Sequence, residues 1–576
     1  MRIRVYFNYI LLAGACLLFT SRASAQSFRL DNLRDQFGKG KMLKLGGGLS
    51  ANGIYYNGNG SYGRKPFSYF VSGNVVLNLY GLVNLPFSFA LSDFGKSYSY
   101  PIPPNRFSIH PSYKWVTGHI GNIAMTFSPY TLNGYLFSGA GADFEPEGAF
   151  KGSVIYGRLQ KAVEYDTANH IVPAAYERRG FGAKVQFQKE KYRAGVIVFR
   201  AWDDVNSIRN KPDSLGIYPK ENTVVSFNAG TKIIKQLDFT IEYATSALTQ
   251  DVRAEPATGE GILRHVVNSK ASTGFYNAVK SQLQYSLATT VLGIGYERVD
   301  PGYQTLGAYY LNNDFENITV NAAQPLFKSK VQVAVNVGYQ RDNLDHSKSG
   351  SSSRNIASAN LSYTPTERMS ATLNYSNFQT FMRIRPQFQT INQLDNFQNL
   401  DTLHYMQLSQ NANASMSYTL KQSEAFMRTL NFDVSFQETA DKQGGVVRNG
   451  SGSEFYNVSV MYNAMQTEKG YNFSGAFNIT YNTIGRNDFV TLGPTVGYNV
   501  KLVKKKMSLG TSLSYNASKT DNSWANSVFN VRCNVSYNVA KRHIFNLVIL
   551  NQSRSFSNRA NTNDTTATIG YNFTFG

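Results

Sequence analysis

The sequence predicts an all-β protein: a closed antiparallel transmembrane β-barrel of about 26 strands, with 22–26 in range. Three observations lead there. Segments of about ten residues alternate apolar and polar side chains through most of the chain. The connections between them alternate short and long. No segment approaches 18 consecutive apolar residues, so no transmembrane helix is expected. Successive strand side chains point to opposite faces, so each alternating segment has one apolar and one polar row.

The chain opens with Arg2 and Arg4, an apolar run from Tyr9 to Thr20, and Ala23-Ser24-Ala25. A basic start, a short apolar run and a small-x-small site read as a cleaved signal peptide over 1–25, leaving Gln26 first. Cys16 leaves with it, and Ala13 stands where a lipoprotein signal carries a large aliphatic residue. The mature chain keeps one cysteine, Cys533, which excludes an intrachain disulfide scaffold. Residues 26–40 are expected as a short periplasmic segment, too few for a plug domain.

Composition supports strands. Aromatics are 14% of the chain, with 37 Tyr and 38 Phe, and charged residues only 16%. Tyr, Phe and Val favour strands, while Asn and Gly favour turns. Gly46 to Gly48 lie inside a strand-like stretch with no helix after them. They read as a close backbone approach rather than a phosphate loop.

Residues 93–148 are the least barrel-like stretch. Pro101, Pro103, Pro104, Pro111 and Pro129 interrupt pairing, because proline cannot donate to a ladder. His110, Trp115, His119 and Tyr130 are the candidate residues of a loop or gate that narrows the lumen here. The spacing of His110 and His119 fits no metal-ligand motif, so neither a metal nor a cofactor is expected.

From there the alternation is regular. VQVAVNVGY (331–339) puts Val331, Val333, Val335, Val337 and Tyr339 on one face. In 529–540, FNVRCNVSYNVA, Phe529, Val531, Cys533, Val535, Tyr537 and Val539 share a face opposite Asn530, Arg532, Asn534, Ser536 and Asn538. Ten residues suit a tilted bilayer-crossing strand, whereas soluble sandwich strands are usually about five or six long. Long links include 203–222, 248–273, 341–354, 383–403, 440–453 and 554–564. Short ones include 188–191, 364–368, 421–425, 466–469, 503–506 and 540–542. All long loops at one end and tight turns at the other is a membrane-barrel asymmetry. The phase divides 41–575 into 26 strands with both ends on the short-turn side.

The end of the chain, Tyr571-Asn-Phe573-Thr-Phe575, resembles the aromatic terminal strand of Gram-negative outer-membrane β-barrel proteins, and the likeness in pattern covers 41–576. Gly576 departs from it, since that family usually stops on the aromatic. The resemblance implies a cell outer membrane location and recognition of Tyr571, Phe573 and Phe575 by the barrel assembly machinery.

Net charge is +20, or +17 once Arg2, Arg4 and Arg22 leave with the signal. No nucleic-acid motif accompanies it. Lys504, Lys505, Lys506, Lys541 and Arg542 crowd the short turns and read as a periplasmic basic rim facing lipid phosphates. An enzyme is not expected, since GxSxG, HExxH and Walker patterns are missing. Two functions fit the rest. The first is passage of a solute, lipid or exported polymer, so wide a lumen being filled by inward-folded loops, by the 93–148 segment, or by a plug or secretion partner. The second is a surface anchor whose long loops bind or adhere. A soluble secreted β-protein is the third and weakest.

Overall fold

The computed structural model describes residues 43–576 apart from 61–63, 94–104, 166–173, 211, 214–215, 259–262, 264–265, 348–352, 378–380, 383–405, 408–409, 440–441, 444–445, 448–451, 485–486 and 522. The signal peptide, the 26–40 segment and the 383–403 loop therefore lie outside the described residues.

The wall begins with β1 (Leu43–Gly58), β2 (Phe67–Leu79) and β3 (Val83–Ser92). β4 comes in two pieces, Arg106–Ile109 and Ser112–Tyr113. Next are β5 (Val116–Thr126), β6 (Asn133–Phe144), β7 (Phe150–Gln160), β8 (Glu177–Lys189), β9 (Tyr192–Asp204) and β10 (Glu221–Ile234). β11 (Leu237–Thr249), β12 (Thr273–Leu287), β13 (Thr290–Val299), β14 (Phe315–Leu326), β15 (Val331–Arg341) and β16 (Ser353–Thr366) continue it. β17 (Met369–Ser376), β18 (Gln410–Gln422), β19 (Phe426–Thr439), β20 (Ser453–Gln466) and β21 (Tyr471–Ile484) follow. It ends with β22 (Asn487–Leu502), β23 (Met507–Thr520), β24 (Ser523–Ala540), β25 (His543–Phe556) and β26 (Thr562–Phe575). The sheet has 27 hydrogen-bonded segments, and with the two pieces of β4 taken as one strand these make a closed 26-strand barrel. Each strand pairs antiparallel with the next, and β26 returns to β1 from Gly47↔Phe575 to Gly58↔Asp564.

The alternation works as the sequence analysis expects. On β1, Leu43, Leu45, Leu49 and Tyr55 are exposed on the outside. On β24, Phe529, Tyr537 and Val539 are exposed in the same way. Antiparallel register keeps neighbours on one face, so Val531 meets Leu513 and Cys533 meets Ile549. The result is an apolar band around the whole exterior, and every ladder closes on another strand. A closed wall leaves no unpaired edge, which is the condition for strands to cross hydrocarbon. This even-stranded, apolar-jacketed wall is that of an outer-membrane barrel.

Gly47 makes a close approach to the neighbouring strand β2. It holds φ +144, and a Cβ there would lie 2.1 Å from the Asn74 carbonyl oxygen. Only glycine fits at Gly47, whereas a Cβ at Gly46 or Gly48 would meet its nearest atom at 3.7 or 3.5 Å, an ordinary contact.

Residues 93–148 hold wall strands more than loop, as the division of 41–575 into 26 strands requires. From Arg106 to Phe144 they are mostly wall, forming β4, β5 and β6, and only 127–132 turns inward. Alternation is weak there because the lumen-facing rows mix glycine with apolar residues: Gly139 pairs with Gly121 and Gly141 with His119, while Ile123 pairs with Phe137 and Met125 with Tyr135.

Candidate functional site

The lumen is filled on one side and water-accessible on the other. The filling comes from two loops at the long-loop end, 127–132 between β5 and β6, and 300–314 between β13 and β14. They are stitched to each other. The Asn133 backbone N–H donates to the Gly307 carbonyl at 2.9 Å, and Leu132 and Gly307 form a parallel bridge. The Thr305 hydroxyl donates to the Thr131 carbonyl at 2.5 Å, and the Tyr303 hydroxyl to the Tyr130 carbonyl at 3.0 Å. The Tyr135 and Tyr309 rings stack at 4.2 Å.

Both loops pack on an inner face that is apolar. Leu132 and Leu306 lie among Ile123, Phe137, Ile155, Ile197, Phe199 and Leu248. Tyr130 and Tyr303 lie among Val224, Ala244, Ala278 and Val299. Phe199, Ile197 and Tyr303 are wholly buried. Burying such side chains stabilises by roughly 1.5–3 kcal/mol each, so the filling is a packed core.

Polar groups tie the same filling to the wall. The Tyr130 hydroxyl donates to Glu297 at 2.5 Å, a charge-assisted bond. Burial, ahead of the neighbouring Glu297 charge, holds the Tyr130 phenol above its usual range, so it stays a donor. The Leu306 N–H donates to the Asn222 amide oxygen at 3.1 Å, and the Ser246 hydroxyl to the Gln304 carbonyl at 2.7 Å. The Lys184 ammonium donates to the Phe127 carbonyl at 3.3 Å. On three successive strands Glu242, Lys280 and Glu297 stand directly opposite one another, with alternating charge.

The opposite inner face has another character. On β16 to β19 the inward row is Asn360, Ser370, Thr372, Asn374, Ser415 and Asp433, and all six are exposed to water inside the wall. Thr372 and Ser415 share a hydrogen bond at 2.7 Å and remain exposed. Further round, β21 to β24 present Ser474, Asn499, Ser508, Ser512, Asn534 and Ser536. Hydroxyls and amides make up most of this sector, with Asp433 and Arg532 its charged members.

The structure places the sequence-derived candidates as follows. His110 and His119 face the lumen and meet, their Nδ1 atoms 2.8 Å apart. His119 Nε2 bonds Asp143 at 2.8 Å, Ser153 donates to the other Asp143 oxygen at 2.6 Å, and His110 Nε2 lies 3.2 Å from Ser108 Oγ. Sequence spacing missed this pairing because β4 and β5 fold back on each other, bringing positions nine apart face to face. Among the described residues no group of three or more His, Cys, Asp and Glu could hold a metal ion. Tyr130 sits in the filling. Trp115 does not reach the lumen: it is exposed in the β4–β5 turn, its ring 6.2 Å from Phe144, which is on the outer face.

Lys504, Lys505 and Lys506 occupy the β22–β23 turn, and Lys541 and Arg542 the β24–β25 turn, all exposed at the short-turn end. The first of these matches the β14–β15 turn: LVKKK (502–506) and LFKSK (326–330) both hold three consecutive residues at positive φ. Phe327 and Val503 project there, 75% and 56% exposed, beside the lysines. Tyr571, Phe573 and Phe575 line the outer face of β26, where the rings of Phe573 and Phe575 stack at 5.4 Å. His346 is exposed in the β15–β16 loop, and His543 bonds the Tyr571 hydroxyl at 2.8 Å.

No protein-family model and no curated protein matches the chain. Among solved structures it is similar to the FrpB iron transporter from Neisseria meningitidis (F3-3 variant). The identity is 11% and the TM-score 0.36, over 94% of this chain and 83% of that one. A BenF-like porin from Pseudomonas fluorescens Pf-5 gives 9% and 0.30, over 92% and 99%. OccD3 (OpdP) of Pseudomonas aeruginosa gives 7% and 0.32, over 94% of each. Values this low tie the chain to none of them.

Proposed function

We propose that the protein passes a polar, hydrogen-bonding solute through the outer membrane along the β16–β19 side of its lumen. The observation that carries this reading is the contrast between the two inner faces. Ile197, Phe199, Val224 and Ala244 are sealed under in-folded loops, while Asn360, Thr372, Asn374 and Ser415 face water. A barrel that served only as an anchor has no use for a water-lined sector of hydroxyls and amides. The chain supplies its own lumen filling, so a separate plug protein is not required to narrow the pore. The long loops lie at the extracellular end, and the basic turns at the periplasmic end meet anionic headgroups, each charge worth roughly 1 kcal/mol near such a surface.

Purified protein in planar bilayers is the test. Wild type should conduct, and Tyr130→Ala with Tyr303→Ala should raise conductance at least twofold by loosening the filling. Thr372→Trp with Ser415→Trp should lower it by a similar factor. Silence of wild type and loosened variant alike would instead favour an anchor whose loops bind a partner.

A further inference from the structure

The wall is not equally strong all the way round. Its thinnest seam lies between β4 and β5, where only Ser108↔Gly121, Ile109↔Ile120, Ser112↔Thr117 and Tyr113↔Val116 pair. The seam that closes the barrel, β1 to β26, runs unbroken over twelve pairs from Gly47 to Gly58.

Pro111 thins this seam directly, and Pro86 thins the ladder on the other side of β4. The Pro86 carbonyl on β3 accepts from the His110 N–H at 2.9 Å, so Pro86 faces β4 with an acceptor and no donor. The Pro111 carbonyl accepts from the Gly118 N–H at 2.7 Å, and Pro111 likewise has no N–H to give β5. Each removes one rung from a ladder beside β4. Gly121, at φ +108, adds an irregularity: a Cβ there would lie 2.3 Å from the Phe107 carbonyl oxygen. The Phe107 N–H consequently turns to the Asn122 side chain, at 3.1 Å.

Side chains bridge what the backbone does not. The His110–His119 contact at 2.8 Å spans this seam from the inside, and Asp143 and Ser108 hold the outer nitrogens of the two rings. Outside, Phe107 and Ile120 are half exposed to hydrocarbon. Inside, the next inward residues of β5 are Ile123 and Met125, which belong to the apolar filling. The seam therefore has an exposed apolar surface outside, a polar clasp inside, and the half-buried Met125 at the edge of the filling beside that clasp.

We propose that the wall opens laterally between β4 and β5, and that the opening admits the acyl part of a lipid-like amphiphile between bilayer and lumen, with the His110–His119 clasp holding it shut. A ladder of four pairs, in two fragments, is the place where parting costs least. Met125, half-buried at the edge of the apolar filling, offers a tail a destination that the Asn- and Ser-lined sector does not, and Ile123 lies buried behind it. This opening is separate from axial passage of solute, which conductance reports.

The test uses the full chain in phospholipid nanodiscs, with Cys533→Ala as background. A benzophenone amino acid replacing Asn74, inward on β2, is photolysed and scored for phospholipid adducts. Adducts should form, fall at least fivefold when an Ile109→Cys/Ile120→Cys pair is oxidised, and return on reduction. His119→Ala should raise the yield severalfold. The same label at Thr372 should give an unchanged background. No adduct at position 74, or adducts indifferent to the disulfide, would overturn the proposal. Hydrogen exchange on the unmodified chain stands beside it. Amides of 116–121 should exchange at least 100-fold faster than those of 48–54, and equal protection would overturn the proposal even if a variant failed to fold.

Discussion

Arg253 shows how single residues fix the outer loops. Its guanidinium bonds both Asp213 oxygens at 3.0 Å and Asp251 at 2.9 and 3.0 Å, joining the β9–β10 loop to the β11–β12 loop. The hydrogen bond from Arg253 holds the Asp251 carboxyl below its ordinary value. A carboxyl with a depressed folded value contributes above the unfolded carboxyl range, near 4, and loses that contribution as pH falls through the lowered value. Amides of 250–254 should therefore keep their protection from pH 7 to about 4 and lose it below that. Arg253→Gln should abolish the acid dependence, as exchange measured across pH would show. Other residues at this scale were hidden in the sequence. The meeting of His110 with His119 depends on strand register, which no spacing rule reads. The burial of Tyr130 against Glu297 joins residues 167 apart.

Strands were far more legible, and for a physical reason. A wall with lipid on one side and water on the other forces a period of two, so the phase of a segment such as 529–540 shows directly where each side chain goes. Both faces of β9 are apolar instead: Val196 and Val198 stand outside while Ile197 and Phe199 stand inside. That two-sided run, AGVIVF, was the available signal that something covers the lumen face there. The glycine run of β1 was legible as a close approach, which the structure shows at Gly47, and that position supports a prediction. Gly47→Ala would force a Cβ to within 2.1 Å of the Asn74 oxygen at φ +144. Strain of this kind costs on the order of 1–3 kcal/mol before the clash is counted. The variant should lose heat-modifiable migration at a lower temperature than wild type, whereas Gly475→Ala, with only Phe473 at 3.9 Å, should not.

At the scale of the molecule, the expectation of about 26 strands came from counting alternations between long and short links, and the wall has 26. The sequence singles out 93–148, with Tyr130, as a stretch that narrows the lumen, and loop 127–132 lies within it; loop 300–314 is ordinary in composition, and only its position makes it part of a core. One measurement checks the whole arrangement. Spin labels at Val531, Val535 and Val539 should relax with oxygen dissolved in the bilayer, and labels at Asn534 and Ser536 with a water-soluble nickel chelate. Exchange of those two behaviours would invert the barrel and remove the lumen altogether.

The filling has a dynamic consequence. Each half hangs from neighbouring strands by a link of six or fifteen residues, so it cannot detach the way a separate stopper does. Whatever obstruction it makes ends by local rearrangement, and loops of that size move in nanoseconds to microseconds. Current through a single molecule should accordingly show brief, shallow flickers in place of long closed dwell times.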